Sequence, residues 1–361
     1  MSAEYTGVNY TNLDGMKRQA QQAAVSTDTN AAEFATVGRS RGESAFVWEE
    51  EDAYRASVIE GLGTKHLVAD AMEELTGTTY YDEIAQDAVA AIVNDLVVVG
   101  AEPQVLMAYW AVGDGNWFGN ARRNSALVEG WKNACNKAGV VWGGGETPAL
   151  QGVLHANVID LGGSAQGIIK PKERLTLGEK LQEGDAILLV ESNGIHANGL
   201  TRARQIAENL PEGYLTKMDD GRTYGQALLS PSHIYAKLVQ TIFDKGVDLH
   251  YMVNITGHGW RKLMRSSKEF TYMIDTIPQP QEEFNFIQNN SGMTDEEMYG
   301  TFNMGAGFAL FVPQEDIEKV LQAGQAHGLK ILQAGKVVEG EKQVVIQPKG
   351  ITFEQDSLQV R

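Results

Sequence analysis

The stretch YDEIAQDAVAAIVNDLVVVGAEP, residues 81–103, constrains the fold more than any other part of the chain. Ile84, Ala88, Ile92 and Leu96 recur every four residues, the spacing of one helix face. The segment then turns β-branched and is closed by Gly-Ala-Glu-Pro. The same alternation runs along the chain. AFVWEEEDAYRASVIEGLG reads as strand, turn, strand, and NSALVEGWKNACNKAGV as an amphipathic helix. AILLVES and GFALFVP are buried-strand patterns, and GLTRARQIAENL, SHIYAKLVQTIFDKG and EDIEKVLQAGQAHGL are helices. An α/β or α+β architecture follows. At 361 residues two domains are expected. The charged connector KPKERLTLGEKLQEGD puts the boundary near Lys170, with domains over 46–169 and 170–361. Residues 1–45, weakly periodic and polar, are expected to be partly mobile.

Charge and cysteine content narrow the function. Thirty basic against 47 acidic residues give a net charge of −17, the wrong sign for a nucleic-acid binder. No run of about 18 apolar residues suggests a membrane span, and a soluble, cytoplasmic protein is expected. The lone Cys135, in a helix-like stretch, reads as a buried structural thiol, without disulfide or cysteine–metal chemistry. His155, His233, His250 and His327 have no partners at metal-ligand spacing and read as surface or core residues.

Four segments join glycine to residues suited to phosphate or magnesium: EGLGTK, VNDL, GGGETP and SNGIHANG. Glycine lets backbone amides approach a phosphate with no Cβ in the way. Lys65 would then be a point charge on phosphate, and Asp95 and Glu146 oxygen ligands for Mg²⁺. Asp87 and Asn94, seven apart, share a helix face, so Asp87 is a further candidate ligand. SNGIHANG precedes a helix whose free amides, with Arg202 nearby, suit an anion. Each segment alone reads equally as a turn, a helix cap or a tight glycine corner. The P-loop pattern is absent.

Taken together and in order, GLGTKHLVA, DAVAAIVNDLVVVGAEP, AGVVWGGGETP, DLGGSAQG, GDAILLVESNGIHANGLTRAR, LLSPSHIYAK, NITGHG and EEMYGTFNMGAGFAL closely resemble the AIR synthase family, the phosphoribosylformylglycinamidine cyclo-ligases of purine biosynthesis. The resemblance implies a two-domain α/β chain whose N-terminal domains pair strands across a homodimer, with ATP bound among N-terminal elements and a ribonucleotide in the cleft between domains. It places Gly61, Gly63, Thr64, Lys65, Asn94, Asp95, Gly145, Glu146 and Thr147 at ATP. Mg²⁺ falls to Glu60, Asp87, Asp95 and Glu146, and the ribonucleotide to Asn193, Gly194, His196, Asn198, Asn254 and Thr256. Lys65, Asp95 and His196 are the residues expected to carry the reaction.

The wording departs from the family's at Glu60, usually Asp, at Asn254 and His258 in NITGHG, where the family has His and Gly, and at Ala197 in HANG, where it has Ser. His196 is therefore the histidine expected on the substrate side, and His258 a steric replacement. Two other readings stay open: another phosphoryl-activating enzyme of the same superfamily, and a non-catalytic nucleotide-binding paralogue.

Overall fold

The computed structural model describes residues 10–358. Its strands form two sheets. The first runs in the order β1 (Ala35–Thr36), β2 (Phe46–Glu50), β3 (Ala53–Gly61), β6 (Ile159–Ile169), β4 (Glu102–Val112), β5 (Val141–Glu146). Neighbours are antiparallel except β4 and β5, which are parallel. The second runs β13 (Ile351–Glu354), β12 (Gln343–Ile346), β9 (Thr271–Ile274), β11 (Ile331–Val338), β7 (Ala186–Glu191), β10 (Ala306–Val312), β8 (Tyr251–Asn254). The runs that lack alternation, AILLV and GFALFV, are its interior strands β7 and β10. They are buried on both faces, so no position needs a polar residue.

Ten helices, named α1 (Tyr10–Val25), α2 (His66–Thr76), α3 (Tyr81–Val97), α4 (Ala121–Ala138), α5 (Leu200–Asn209), α6 (Tyr224–Leu228), α7 (Ala236–Asp244), α8 (Glu282–Ser291), α9 (Asp295–Tyr299) and α10 (Ile317–Ala326), complete the described fold. The period-four residues of α3 are fully buried against β3 and β6. Asp82 and Glu83 in its first turn suit the positive end of the helix dipole. α4, capped by the Asn120 side chain, packs along α3. A Cβ on its Gly130 would lie 2.5 Å from the Asp82 Cα, so only glycine allows this approach.

The largely β-branched run Leu96–Val99 continues α3 and its closing turn. The triple glycine is no corner: Gly143, Gly144 and Gly145 lie inside edge strand β5, and a Cβ on Gly145 would meet the Ala108 carbonyl at 2.3 Å. Residues 10–45 carry α1, two short 3₁₀ turns and β1, while residues 1–9 lie outside the described residues. Among the described residues no helix is long and apolar enough to cross a membrane.

Candidate functional site

The loop after β3 leads through Gly63, at φ +76°, into Lys65 and α2. Lys65 is fully buried. Its Nζ sits 2.7 Å from Asp87 Oδ2 and donates to the Ser230 carbonyl at 2.8 Å. Desolvation pushes the Lys65 ammonium down and the Asp87 carboxyl up, and their mutual attraction opposes both shifts. Asp87 Oδ1 accepts from the Ser232 amide at 2.8 Å and from the Ser232 hydroxyl. Gln86 donates to the Ser232 carbonyl at 2.8 Å. Two turns further along α3, the Asn94 amide donates to the His233 carbonyl at 2.8 Å and accepts from the Tyr235 N–H at 2.9 Å. Lys65 and this polar face of α3 thus clamp residues 230–235 of the C-terminal half. Lys65, Asp87 and Asn94, expected at nucleotide or metal, are instead consumed in the junction, because a lysine in that position cannot stay buried without an anion.

Beside the junction lies a cleft of about 470 Å³. Glu60 and Asp95 form its floor. Burial, followed by the nearby Asp95 charge, pushes the Glu60 carboxyl up to about 7. Asp95 Oδ1 also accepts from Asn254 Nδ2 at 2.6 Å, so the asparagine at the family's histidine position is spent on orienting this carboxylate. From the other side come Thr256, Lys262 and Arg265. Lys262 is buried and donates to the Thr256 hydroxyl; desolvation brings its ammonium down to about 8 against the pull of Asp95. Arg265 is held by the Gly42 carbonyl, at 3.0 and 2.9 Å, and by the Ser44 hydroxyl at 2.9 Å. Gly61, Gly63 and Asn198 line the same space. Lys262 and Arg265 were not picked out from the sequence, although the basic run WRKLMR directly after NITGHG was the available signal.

Other expected residues go elsewhere. His196 is buried at φ +57°, its Nε2 accepting from the Asn193 N–H at 3.1 Å and its ring packed near His233 and Tyr235. Burial pushes this imidazole well below its usual range. It closes the SNGIHANG turn and does not face the cleft. Asn193 donates to the Pro231 carbonyl at 3.0 Å, and Gly194, at φ +94°, leaves room for Glu283 Oε1, which a Cβ would meet at 2.3 Å. Asn193 thus braces the clamped loop, and Gly194 makes room for Glu283, from within the C-terminal half.

Gly61 pairs with Gly162, Gly162 with Tyr109, and Tyr109 with Glu146. Three strand steps put Glu146 about 14 Å from Gly61 across the sheet. Gly145, Glu146 and Thr147 are exposed there, away from Glu60 and Asp95. Among the described residues no three His, Cys, Asp or Glu side chains cluster as metal ligands. Of the four expected at Mg²⁺, only Glu60 and Asp95 come together.

A larger groove of about 740 Å³ lies by Asp185, Asp248 and His250. There His250 Nδ1 sits 2.8 Å from Asp185, a partner the sequence did not reveal, but none of the four segments suited to phosphate or magnesium falls there. The smaller cleft, where motifs from both halves meet, is the candidate site. Two adjacent carboxylates and an asparagine supply hard oxygen donors, and a lysine and an arginine supply cations for phosphate. Covalent thiol chemistry has no place, since burial pushes Cys135 up to about 11.

Residues 42–169 match the family described as AIR synthase related protein, N-terminal domain, and residues 182–347 its C-terminal domain. The phosphoribosylformylglycinamidine cyclo-ligase of Methanocaldococcus jannaschii is 35% identical over 290 residues, 80% of this chain and 79% of its own. That of Pyrococcus horikoshii is 34% identical over 86% of this chain and 87% of its own. In fold, the chain is similar to HypE in a HypE–HypF complex, with TM-score 0.64 at 18% identity, covering 93% of this chain and 98% of that one. It is similar too to AaThiL complexed with AMPPCP and TMP, with TM-score 0.60 at 15% identity, covering 92% and 94%.

Proposed function

Since the chain belongs to the AIR synthase family, we propose that it is an ATP-dependent phosphoribosylformylglycinamidine cyclo-ligase, closing formylglycinamidine ribonucleotide to aminoimidazole ribonucleotide. In this reaction the formyl amide oxygen attacks the γ-phosphorus of ATP and ADP leaves. An amidine nitrogen then attacks the activated carbon, the ring closes, and phosphate departs with the formyl oxygen. No enzyme nucleophile is needed, so catalysis rests on positioning and on charge stabilisation around the transferring phosphoryl group.

One observation carries this reading: Glu60 and Asp95 of the N-terminal half meet Thr256, Lys262 and Arg265 of the C-terminal half across a single cleft. The carboxylate pair fits Mg²⁺, which commonly takes one or two carboxylates and completes its shell with water and substrate phosphate. When bound, the ion would offset charge on the phosphates. Asn254 keeps Asp95 turned toward the cleft. Lys262 and Arg265 are assigned to phosphate oxygens, the Gly61–Thr64 backbone to the nucleotide, and Thr256 and Asn198 to the ribonucleotide. His196 and Lys65 are assigned to holding the loops that shape these contacts.

We further propose a homodimer through the open face of the first sheet. Ile59, Val105, Met107, Tyr109 and Val141 stand exposed there, and Gly145, Glu146 and Thr147, too distant for their own chain's cleft, are assigned to that interface. A division near Lys170, a cytoplasmic setting and no nucleic-acid partner go with this reading.

The test is to incubate pure protein with formylglycinamidine ribonucleotide and Mg·ATP and to diazotise the aromatic amine. Amine formed together with ADP is expected. ATP binding with no amine would favour the non-catalytic paralogue, and ATP consumption on another acceptor the related phosphoryl-activating enzymes.

A further inference from the structure

α1, Tyr10–Val25, precedes both family-matched regions, which begin at residues 42 and 182, yet it closes one side of the cleft. Lys17 and Gln21, one turn apart on the same helix face, both line that space. On the same face Asp14 is only 5% exposed. Its Oδ2 lies 3.9 Å from His258 Nε2 and its Oδ1 3.8 Å from Lys17 Nζ. His258 itself stands at φ +69°, a left-handed conformation that favours glycine. A histidine persists there only when its surroundings hold it, and α1 is part of those surroundings. The helix that precedes the matched regions and the histidine at a left-handed position thus meet at one contact.

The charges make the same case. The Lys17 side chain keeps 59% of its surface exposed, and its ammonium is close enough to disfavour protonation of both His258 and Lys262. Lys17 of α1 therefore converges on one small space with Lys262 and Arg265 of a single segment far later in the chain. Like charges gathered in this way are relieved by an anion.

We infer that α1 is a wall of the substrate cleft, docked through Asp14 against His258, and that Lys17 binds a phosphate group there, a specificity-determining contact outside the two matched regions. This rests on the proposed function, and the phosphate belongs either to ATP or to the ribonucleotide. In the full-length protein, Lys17→Gln should raise KM for one of the two about tenfold, roughly 1.4 kcal/mol, with kcat within threefold and an unchanged Tm. The KM that moves identifies the phosphate. Gln19→Ala, on the opposite exposed face of α1, should leave both constants unchanged. Hydrogen exchange of the amides of residues 13–25, measured with ATP and with ribonucleotide separately, should slow with the same ligand in wild type. That slowing should shrink in Lys17→Gln and in Asp14→Asn. Unmoved KM values in Lys17→Gln, or exchange that neither ligand slows, would overturn the inference. If the wild type makes no amine, the enzymatic reading fails and the exchange measurement still decides the role of α1.

Discussion

Lys65 and Asp87 hold each other inside the junction between the two halves, both fully buried. Removing one partner of such a pair strands the other's charge, which costs about 3–5 kcal/mol. Lys65→Met should therefore lose that much stability in urea titrations, and Lys65→Met combined with Asp87→Leu should lose clearly less. A stability unchanged by Lys65→Met would mean that the pair is not formed. Glu60 gives a pH-dependent prediction. Its carboxyl is pushed from near 4.5 up to about 7, first by burial and then by Asp95, so the folded chain holds this proton more tightly than the unfolded one. The stability from that proton is complete below pH about 4.5 and is lost as pH rises through 7. Glu60→Gln should match wild type below about pH 5 and be more stable by about 2–3 kcal/mol at pH 8. It should also require more Mg²⁺ for turnover. Equal stability of the two proteins at pH 8 would show that Glu60 titrates normally.

Strand register decides what the first sheet presents to its surroundings. Ile59 pairs with Ser164, Ser164 with Met107 and Met107 with Gly144, while Val105 bridges Gln166 and Val141 in the next row. Apolar side chains therefore fill neighbouring rows of the open face, with Ile59 79% and Val141 64% exposed. A patch of this kind marks an interface. Sedimentation of the wild type should give twice the 39.4 kDa chain mass, and Met107→Asp should shift it to monomer; a monomeric wild type at micromolar concentration would contradict the assignment. Most elements were legible because their cues are local: the four-residue period of α3, the unbroken apolar runs of β7 and β10, the polar turn between β2 and β3. The triple glycine misled for the opposite reason. Its strand exists through pairing with β4, more than thirty residues earlier, and glycine carries no β-propensity to announce it.

At the scale of the molecule, the family and its two-domain order could be read from motifs, whereas the allocation of residues within the site could not. Lys65 in GLGTK reads as a phosphate lysine until its contact with Ser230 is known, 165 positions away. Asn254 meets Asp95 across 159 positions, and Lys262 gains its meaning only from standing over Glu60 and Asp95. Such pairings form when the two halves close on each other, and no local pattern encodes them. The central claim is that this closure builds a cleft in which ATP activates a formyl oxygen for ring closure. The most direct measurement follows that atom: formylglycinamidine ribonucleotide labelled with ¹⁸O in the formyl group is turned over with Mg·ATP, and the inorganic phosphate is analysed by mass. One ¹⁸O per phosphate, formed in step with aromatic amine, is predicted; amine accompanied by unlabelled phosphate would contradict it.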